Sequence, residues 1–277
     1  MFSRTARYVA QFSAVGAASI GILSFYDHRS KVFAATALHE HRTVVWDDNW
    51  DGRKPEGLIR PDLNASHDPD ETRRLEKVTA KATRHILLIR HGQYCTGGKD
   101  DKDHVLTETG REQAALTAER LSALNLDYVS LINSNMARAV ETADLLLTNG
   151  FPKHVTREVD PLLREGAPIQ PEPPVASWRP AAKQFLEDGS RIEAAFRKYF
   201  HRADAEQQSD SVEVIVCHAN VIRYFVCRAL QLPPEAWLRM SLAHCSITYL
   251  LIRPSGRVVL RSLGDTGHLP PKLVTYQ

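Results

Sequence analysis

The stretch His85-Ile86-Leu87-Leu88-Ile89-Arg90-His91-Gly92 constrains this chain more than any other. Four consecutive branched aliphatics, Ile86 to Ile89, read as a strand buried on both faces, the kind found inside a largely parallel sheet. The run ends abruptly in Arg90-His91-Gly92. Gly92 lets the backbone turn sharply, so a cation and an imidazole stand together at the carboxyl edge of the strand. That edge is where open α/β sheets bind ligands. Taken alone, the stretch is a strand with a polar end, as most strands have.

The rest of the chain from residue 83 onward repeats the arrangement. Thr109 with Glu112 fits a capping box, and Ala114, Ala118 and Leu121 make an apolar face for the helix beyond. Tyr128 to Ile132 reads as a strand that delivers Asn133-Ser134-Asn135 to a helix starting near Met136. Arg138 falls in the first turn of that helix, where a cation is poorly matched to the dipole, so an anion ligand is expected beside it. A surface ion pair is the ordinary alternative. A short strand near Val155 to Val159 precedes Leu162-Leu163-Arg164-Glu165-Gly166, and a proline-rich loop from Pro168 to Pro180 opens a long helix to about His201. Val212 to Cys217, apolar but for Glu213, reads as a second buried strand, ending in His218-Ala219-Asn220 before a helix from Val221 to Leu230. Ile247 to Ile252 and Val258 to Leu263, joined through Pro254-Ser255-Gly256, read as a terminal hairpin.

Four segments thus deliver Arg90 with His91, Arg138, Glu165 and His218 at or just beyond their ends. In a doubly wound sheet such ends converge. Two guanidiniums with an imidazole form a fork-like receptor for phosphate oxygens. The second histidine can then act as nucleophile toward phosphorus, kept neutral near pH 7 by the nearby arginines. Glu165, its proton affinity raised beside a bound dianion, suits the protonation of a leaving alkoxide. No Gly-x-x-x-x-Gly-Lys loop and no metal-ligand spacing is present, so neither a nucleotide, a metal nor another cofactor is expected.

The segment before residue 83 has a different texture. Residues 1–8 carry Arg4 and Arg7 and no acid, and Val9 to Tyr26 is free of formal charge. Residues 9–26 fit a retained signal-anchor helix at the short limit for spanning a bilayer; a cleaved secretory signal or transit peptide are the competing readings. Residues 27–82 form a polar connector punctuated by Pro55, Pro61 and Pro69, leaving 83–277 as the catalytic domain. Within the connector lies Trp46-Asp47-Asp48-Asn49-Trp50-Asp51, holding two of the four tryptophans where no core is evident. A helical turn there would put both rings on one face, which makes a self-association or partner patch; the alternative is that they fold back onto their own domain.

Composition excludes several classes. Lys plus Arg number 35 against 33 Asp plus Glu, which gives no basic footprint for nucleic acid. Cys95, Cys217, Cys227 and Cys245 are scattered and read as reduced thiols rather than a disulfide framework.

Leu88-Ile89-Arg90-His91-Gly92 resembles the signature of the histidine phosphatase (phosphoglycerate mutase-like) superfamily. Leu106-Thr107-x-x-Gly110-x-x-Gln113-Ala114, Ser134-x-x-x-Arg138-Ala139-x-Glu141-Thr142, Leu163-x-Glu165 and Cys217-His218-Ala219-Asn220 extend the resemblance to about Leu263. It implies a three-layer α/β/α sandwich with a mostly parallel central sheet. It also implies that His91 is the phosphorylated nucleophile, that Arg90, Arg138 and His218 bind the phosphoryl group, and that Glu165 is the acid and then the base.

Within the superfamily the chain is similar to the mitochondrial branch that dephosphorylates protein Ser/Thr. The similarity rests on the N-terminal apolar segment, the Trp-Asp-x-Asn-Trp-Asp motif, Leu162 to Ile169 and Cys217 to Tyr224. That branch implies phosphoprotein substrates, among them a stress-activated MAP kinase kinase kinase. It also implies assembly into higher oligomers through Trp46, Asp47, Asn49, Trp50 and Asp51, no mutase activity, and a single-pass anchor in a mitochondrial membrane, the outer favoured over the inner. The linker lacks the acidic Glu-Ser-Gly-Glu-type motif of vertebrate members, so their ubiquitin-ligase adaptor is not an expected partner. Metabolic mutases place Asn where this chain has Gly97 and carry a longer substrate loop; a small-molecule phosphomonoesterase or mutase of the same fold is the alternative.

Overall fold

The computed structural model describes residues 45–59, 70–152 and 154–276. The apolar segment 9–26 lies outside the described residues; among those described, no helix is long and apolar enough to cross a membrane. The described residues from 47 onward form one compact unit.

A six-stranded sheet runs in the order β3-β2-β4-β1-β5-β6. Its strands are β1 (Arg84–Arg90), β2 (Tyr128–Asn133), β3 (Thr156–Val159), β4 (Ser211–Cys217), β5 (Ile247–Ile252) and β6 (Val258–Asp265). The first four are mutually parallel, and β5 with β6 is an antiparallel hairpin on the edge next to β1. Two short helices, α1 (Pro55–Leu58) and α2 (Glu71–Val78), precede the sheet. The main helices are α3 (Glu108–Ala123), α4 (Ala137–Thr148), α5 (Ala182–Tyr199) and α6 (Ala219–Ala229).

Alternation along the strands divides the core. Leu87 and Ile89 of β1, with Val212, Val214 and Val216 of β4, pack with Ala118 and Leu121 of α3 and Ala139, Ala143 and Leu146 of α4. Ile86, Leu88 and Ile215 point to the opposite face. This makes the expected three layers. Ile86 to Ile89 are each fully buried, and burial of such side chains contributes about 1.5–3 kcal/mol apiece. A slip by one residue would exchange their faces, so packing fixes the register of β1 and with it the positions of Arg90 and His91.

Local chemistry adjusts the expected boundaries. The N-cap of α3 is Thr107, whose Oγ1 accepts from the Gly110 amide at 3.0 Å, and not the Thr109–Glu112 pair. Starting the helix two residues earlier brings Gly110 against β1's exit loop, where an added Cβ would stand 2.0 Å from the Gln93 carbonyl oxygen. Gly110→Ala is therefore expected to lower stability by about 1–3 kcal/mol through overpacking, read by denaturant titration.

Residues 48–51 form a turn rather than a helix. The Trp50 indole packs against Phe196 at 6.1 Å between ring centroids and donates Nε1–H to the Gly256 carbonyl at 2.8 Å. The Asp51 carboxylate is buried, accepts from the Arg202 amide at 2.8 Å and lies 3.6 Å from the Arg202 guanidinium. Asp47 exchanges hydrogen bonds with the Gln231 amide side chain, and Asn49 Oδ1 accepts from the Lys54 amide. Residues 47–51 are thus seated on their own catalytic unit.

Candidate active site

The five polar groups expected to form the phosphate site stand at or beyond the carboxyl edge of the parallel strands. Arg90 is the last residue of β1 and His91 the next. Arg138 is the second residue of α4, beyond β2. Glu165 follows the short 3-10 turn Pro161–Leu163 after β3, and His218 is the N-cap of α6, directly after β4. The sheet brings Arg90, His91, Arg138 and His218 together, all nearly or fully buried, with Glu165 half-buried beside them.

His91 lies at the centre. Its Nδ1 pairs with the Gly92 carbonyl at 2.9 Å, and its Nε2 receives the Nε–H of Arg138 at 3.1 Å. A guanidinium only donates, so Nε2 carries a lone pair and the proton sits on Nδ1. Burial, then the charges of His218, Arg138 and Arg90, holds the imidazole well below its ordinary titration range. The arginines expected to keep it neutral do contribute, but burial is the larger cause.

The His218 ring is 5.1 Å from that of His91 and fully buried. Its Nε2 pairs with Ser134 Oγ at 2.9 Å, while its buried Nδ1 has no protein partner. Arg90 anchors one arm on the Leu242 carbonyl at 2.6 Å and leaves a buried Nε likewise without a partner. Burial lowers the Arg90 pKa to about 10, still far above neutrality, so its charge persists. Two buried polar atoms with no protein partner, on residues whose charges act on His91, are what an incoming oxyanion would satisfy.

Glu165 behaves oppositely to a surface carboxylate. Burial pushes its pKa upward against the pull of Arg138, the Gly166 amide, Arg90 and Arg223. Its backbone is gripped from α5: Arg191 donates to the carbonyls of Leu162, Arg164 and Glu165 at 3.0, 2.6 and 3.2 Å. Asn220 of α6 holds the next carbonyl, Gly166, at 3.1 Å. The carboxyl thus sits on a loop fixed by two helices.

Sequence reasoning gave no role to several of these supports. Ser134, Thr142 and Gln113 lie inside the motif blocks, spaced with the residues they hold: Thr142 Oγ1 accepts from the Gly92 amide at 3.0 Å and Gln113 Oε1 from Gln93 at 2.8 Å. Tyr94 stacks edge-on to His91 at 5.2 Å, and the Arg138 guanidinium lies 4.6 Å over its ring. A third histidine, His244, lies 5.5 Å from His91 on the β5 approach and carried no sequence signal.

The C-terminal segment ties these together. Thr275 Oγ1 pairs with His244 Nδ1 and with Gln113 Nε2, each at 2.8 Å, while its carbonyl accepts from the His244 amide at 3.0 Å. Thr275→Val is expected to lower stability by about 1–3 kcal/mol, because a buried amide and imidazole lose a partner, and Thr275→Ser should restore it. Thermal and denaturant unfolding of the two variants would check this. Among the described residues no group of three or more His, Cys, Asp or Glu is placed to hold a metal ion. All four cysteines are free; Cys95 is exposed and the other three are buried.

These strands and this pocket of histidines and arginines belong to a known class. Residues 86–266 match the histidine phosphatase superfamily (branch 1), and the chain belongs to that family. It is 57% identical over 236 residues to the mouse protein named serine/threonine-protein phosphatase PGAM5, mitochondrial, covering 83% of this chain and 80% of that one. To the Drosophila willistoni protein of the same description it is 53% identical over 269 residues, 92% of each chain. The solved structure of the Rv3214 product of Mycobacterium tuberculosis superposes with a TM-score of 0.51 at 28% identity, covering 67% of this chain and 99% of that one.

Proposed function

We propose that this protein is a serine/threonine-protein phosphatase that works through a phosphohistidine on His91. The observation that carries the reading is the unprotonated Nε2 of His91 lying among Arg138, Arg90 and His218. The phosphoryl oxygens bind to Arg90, Arg138 and His218, displacing the Arg138 Nε–H from the nucleophile. His91 Nε2 attacks phosphorus, the P–O ester bond breaks, and Glu165 gives its proton to the departing serine or threonine oxygen. Water then attacks the phosphohistidine while Glu165 takes its proton; the P–N bond breaks, inorganic phosphate leaves, and His91 returns neutral. The positive charge that stabilises both steps comes from the two guanidiniums.

The names of the relatives support protein serine and threonine phosphates as substrates and a mitochondrial location. Gly97 and the short path from Gly92 to Leu106 favour an open mouth that admits a peptide, and so a phosphatase without mutase activity. A stress-activated MAP kinase kinase kinase as substrate, a membrane anchor at residues 9–26, and assembly through Trp46, Asp47, Asn49, Trp50 and Asp51 rest on the resemblance of those segments. The seating of Trp50 and Asp51 on Phe196, Gly256 and Arg202 means that assembly would use this seat or the outer face of the same turn.

Purified protein should hydrolyse phosphoserine and phosphothreonine peptides and should not interconvert 2- and 3-phosphoglycerate. Turnover of the glycerates with inert peptides would overturn the reading. Trp50→Ala is expected to reduce the mass measured by light scattering; an unchanged mass would overturn the assembly role.

A further inference from the structure

Beyond Glu165 lies a feature that the phosphoryl chemistry does not use. Between residue 168 and the start of α5 the surface holds an apolar groove of about 710 Å³. Pro168, Pro171, Val175, Trp178, Phe185 and Leu186 line it. Trp178 stands edge-on to Phe185 at 5.9 Å and to the buried Trp237 at 5.5 Å, so its ring is a fixed wall. Trp237 is tied in turn to the Ile169 carbonyl at 2.9 Å. Leu186, 73% exposed, holds its apolar side chain in water at the lip. A lone exposed leucine is ordinary; one continuous with an aromatic- and proline-lined groove marks a recognition surface.

Two paths join the groove to the phosphoryl site. Along the chain, Pro168 is three residues beyond Glu165, a reach of at most about 11 Å. Through the fold, Phe185 precedes Asp188 by one helical turn, about 4.5 Å of rise, and Asp188 Oδ2 accepts from the Ala167 amide at 3.0 Å. The rim therefore begins no more than about 11 Å from Glu165, the span of roughly three extended peptide residues.

Building on the phosphoprotein reading above, we infer that this groove is a specificity subsite for one aliphatic or aromatic side chain of the substrate, two to four residues from the phosphorylated serine or threonine. The occupant is the substrate itself because the groove is continuous with the loop that carries Glu165. An extended peptide whose phosphoryl group lies between Arg90 and Arg138 passes this rim on one side. A small phosphorylated metabolite is too short to reach it, so the groove also separates the two substrate classes.

The test uses full-length protein and phosphoserine peptides in which one leucine is moved from four residues before the phosphoserine to four after, on an alanine background. p-Nitrophenyl phosphate, which fills only the phosphoryl site, is the second substrate. Leucine at one or two adjacent positions is expected to raise kcat/KM roughly 10- to 100-fold over alanine, chiefly through KM. Leu186→Glu and Trp178→Ala should each remove that gain while p-nitrophenyl phosphate is turned over as before. A flat leucine scan with every peptide hydrolysed overturns the subsite and leaves the phosphatase reading standing. Inert peptides with p-nitrophenyl phosphate still hydrolysed overturn the phosphoprotein reading and the subsite with it. A leucine preference that survives both substitutions also overturns the subsite. So does a Leu186→Glu protein that keeps the preference but changes its mass in light scattering, which assigns the groove to a second copy of the chain.

Discussion

His91→Ala is expected to reduce kcat on phosphoserine peptides by about 10⁴-fold or more, the scale seen when a covalent nucleophile is removed. His218 cannot take over, because its Nε2 is engaged by Ser134 and its ring stands 5.1 Å from that of His91. Rapid quenching of the native enzyme with ³²P-labelled substrate should trap label that is lost in acid and kept in alkali, as a P–N bond behaves. The variant should trap none. Because His91 is buried between Tyr94, His218 and His244, His91→Asn serves as a partner variant that keeps a polar group beside Arg138. Folded variants that keep turnover within tenfold of the native enzyme would rule out the phosphohistidine route.

The second large effect depends on the leaving group. Glu165→Gln is expected to lower kcat on phosphoserine peptides by about 10²- to 10⁴-fold, since an alkoxide leaves poorly without a proton. p-Nitrophenolate departs unaided, so hydrolysis of its phosphate should fall far less. Equal losses on both substrates would remove Glu165 from the proton-transfer role. The pH profile follows from the same groups. The proposed mechanism needs a neutral His91, whose pKa lies well below the ordinary 6.5, so activity should be retained on acidification until below that value. It also needs a protonated Glu165, whose pKa lies above the ordinary 4.5, so the alkaline limb should fall as pH rises through that raised value. In Glu165→Gln the alkaline limb should disappear.

The sequence was most legible where burial and chemistry coincide. Ile86 to Ile89 is an uninterrupted apolar run, Val212 to Cys217 is apolar but for Glu213, and each leads into a histidine that the structure places in the pocket. Arg138 was legible because a cation in the first turn of a helix is electrostatically misplaced without a counter-charge; the lone pair of His91 meets it, and Asp101 lies 3.7 Å away. His244 was not legible, since its place depends on β5 running antiparallel beside β1, a long-range pairing with no local pattern. Arg191 reads as one more cation on a polar helix, and its grip on three carbonyls exists only after α5 docks. The start of α3 was misplaced by two residues because Thr107 and Thr109 are both competent caps, and the close approach of Gly110 to Gln93 selects the earlier one. The turn at 48–51 defeated local reasoning for the same cause: the Arg202 seat that receives Asp51 is remote in sequence.

The hydrogen bond from Arg138 to His91 Nε2 gives the resting enzyme a chemical reticence. A nitrogen lone pair already shared with a guanidinium is a poor target for alkylating or acylating electrophiles. On the proposed mechanism the arginine that blankets the imidazole is also the one a phosphoryl dianion would recruit, so docking of the cargo and baring of the nucleophile would be one event. Reagents that lack a dianionic head would have no means of drawing Arg138 aside. Selectivity for phosphate over other electrophiles would thereby be set before any bond is made, by which molecules can unmask the ring.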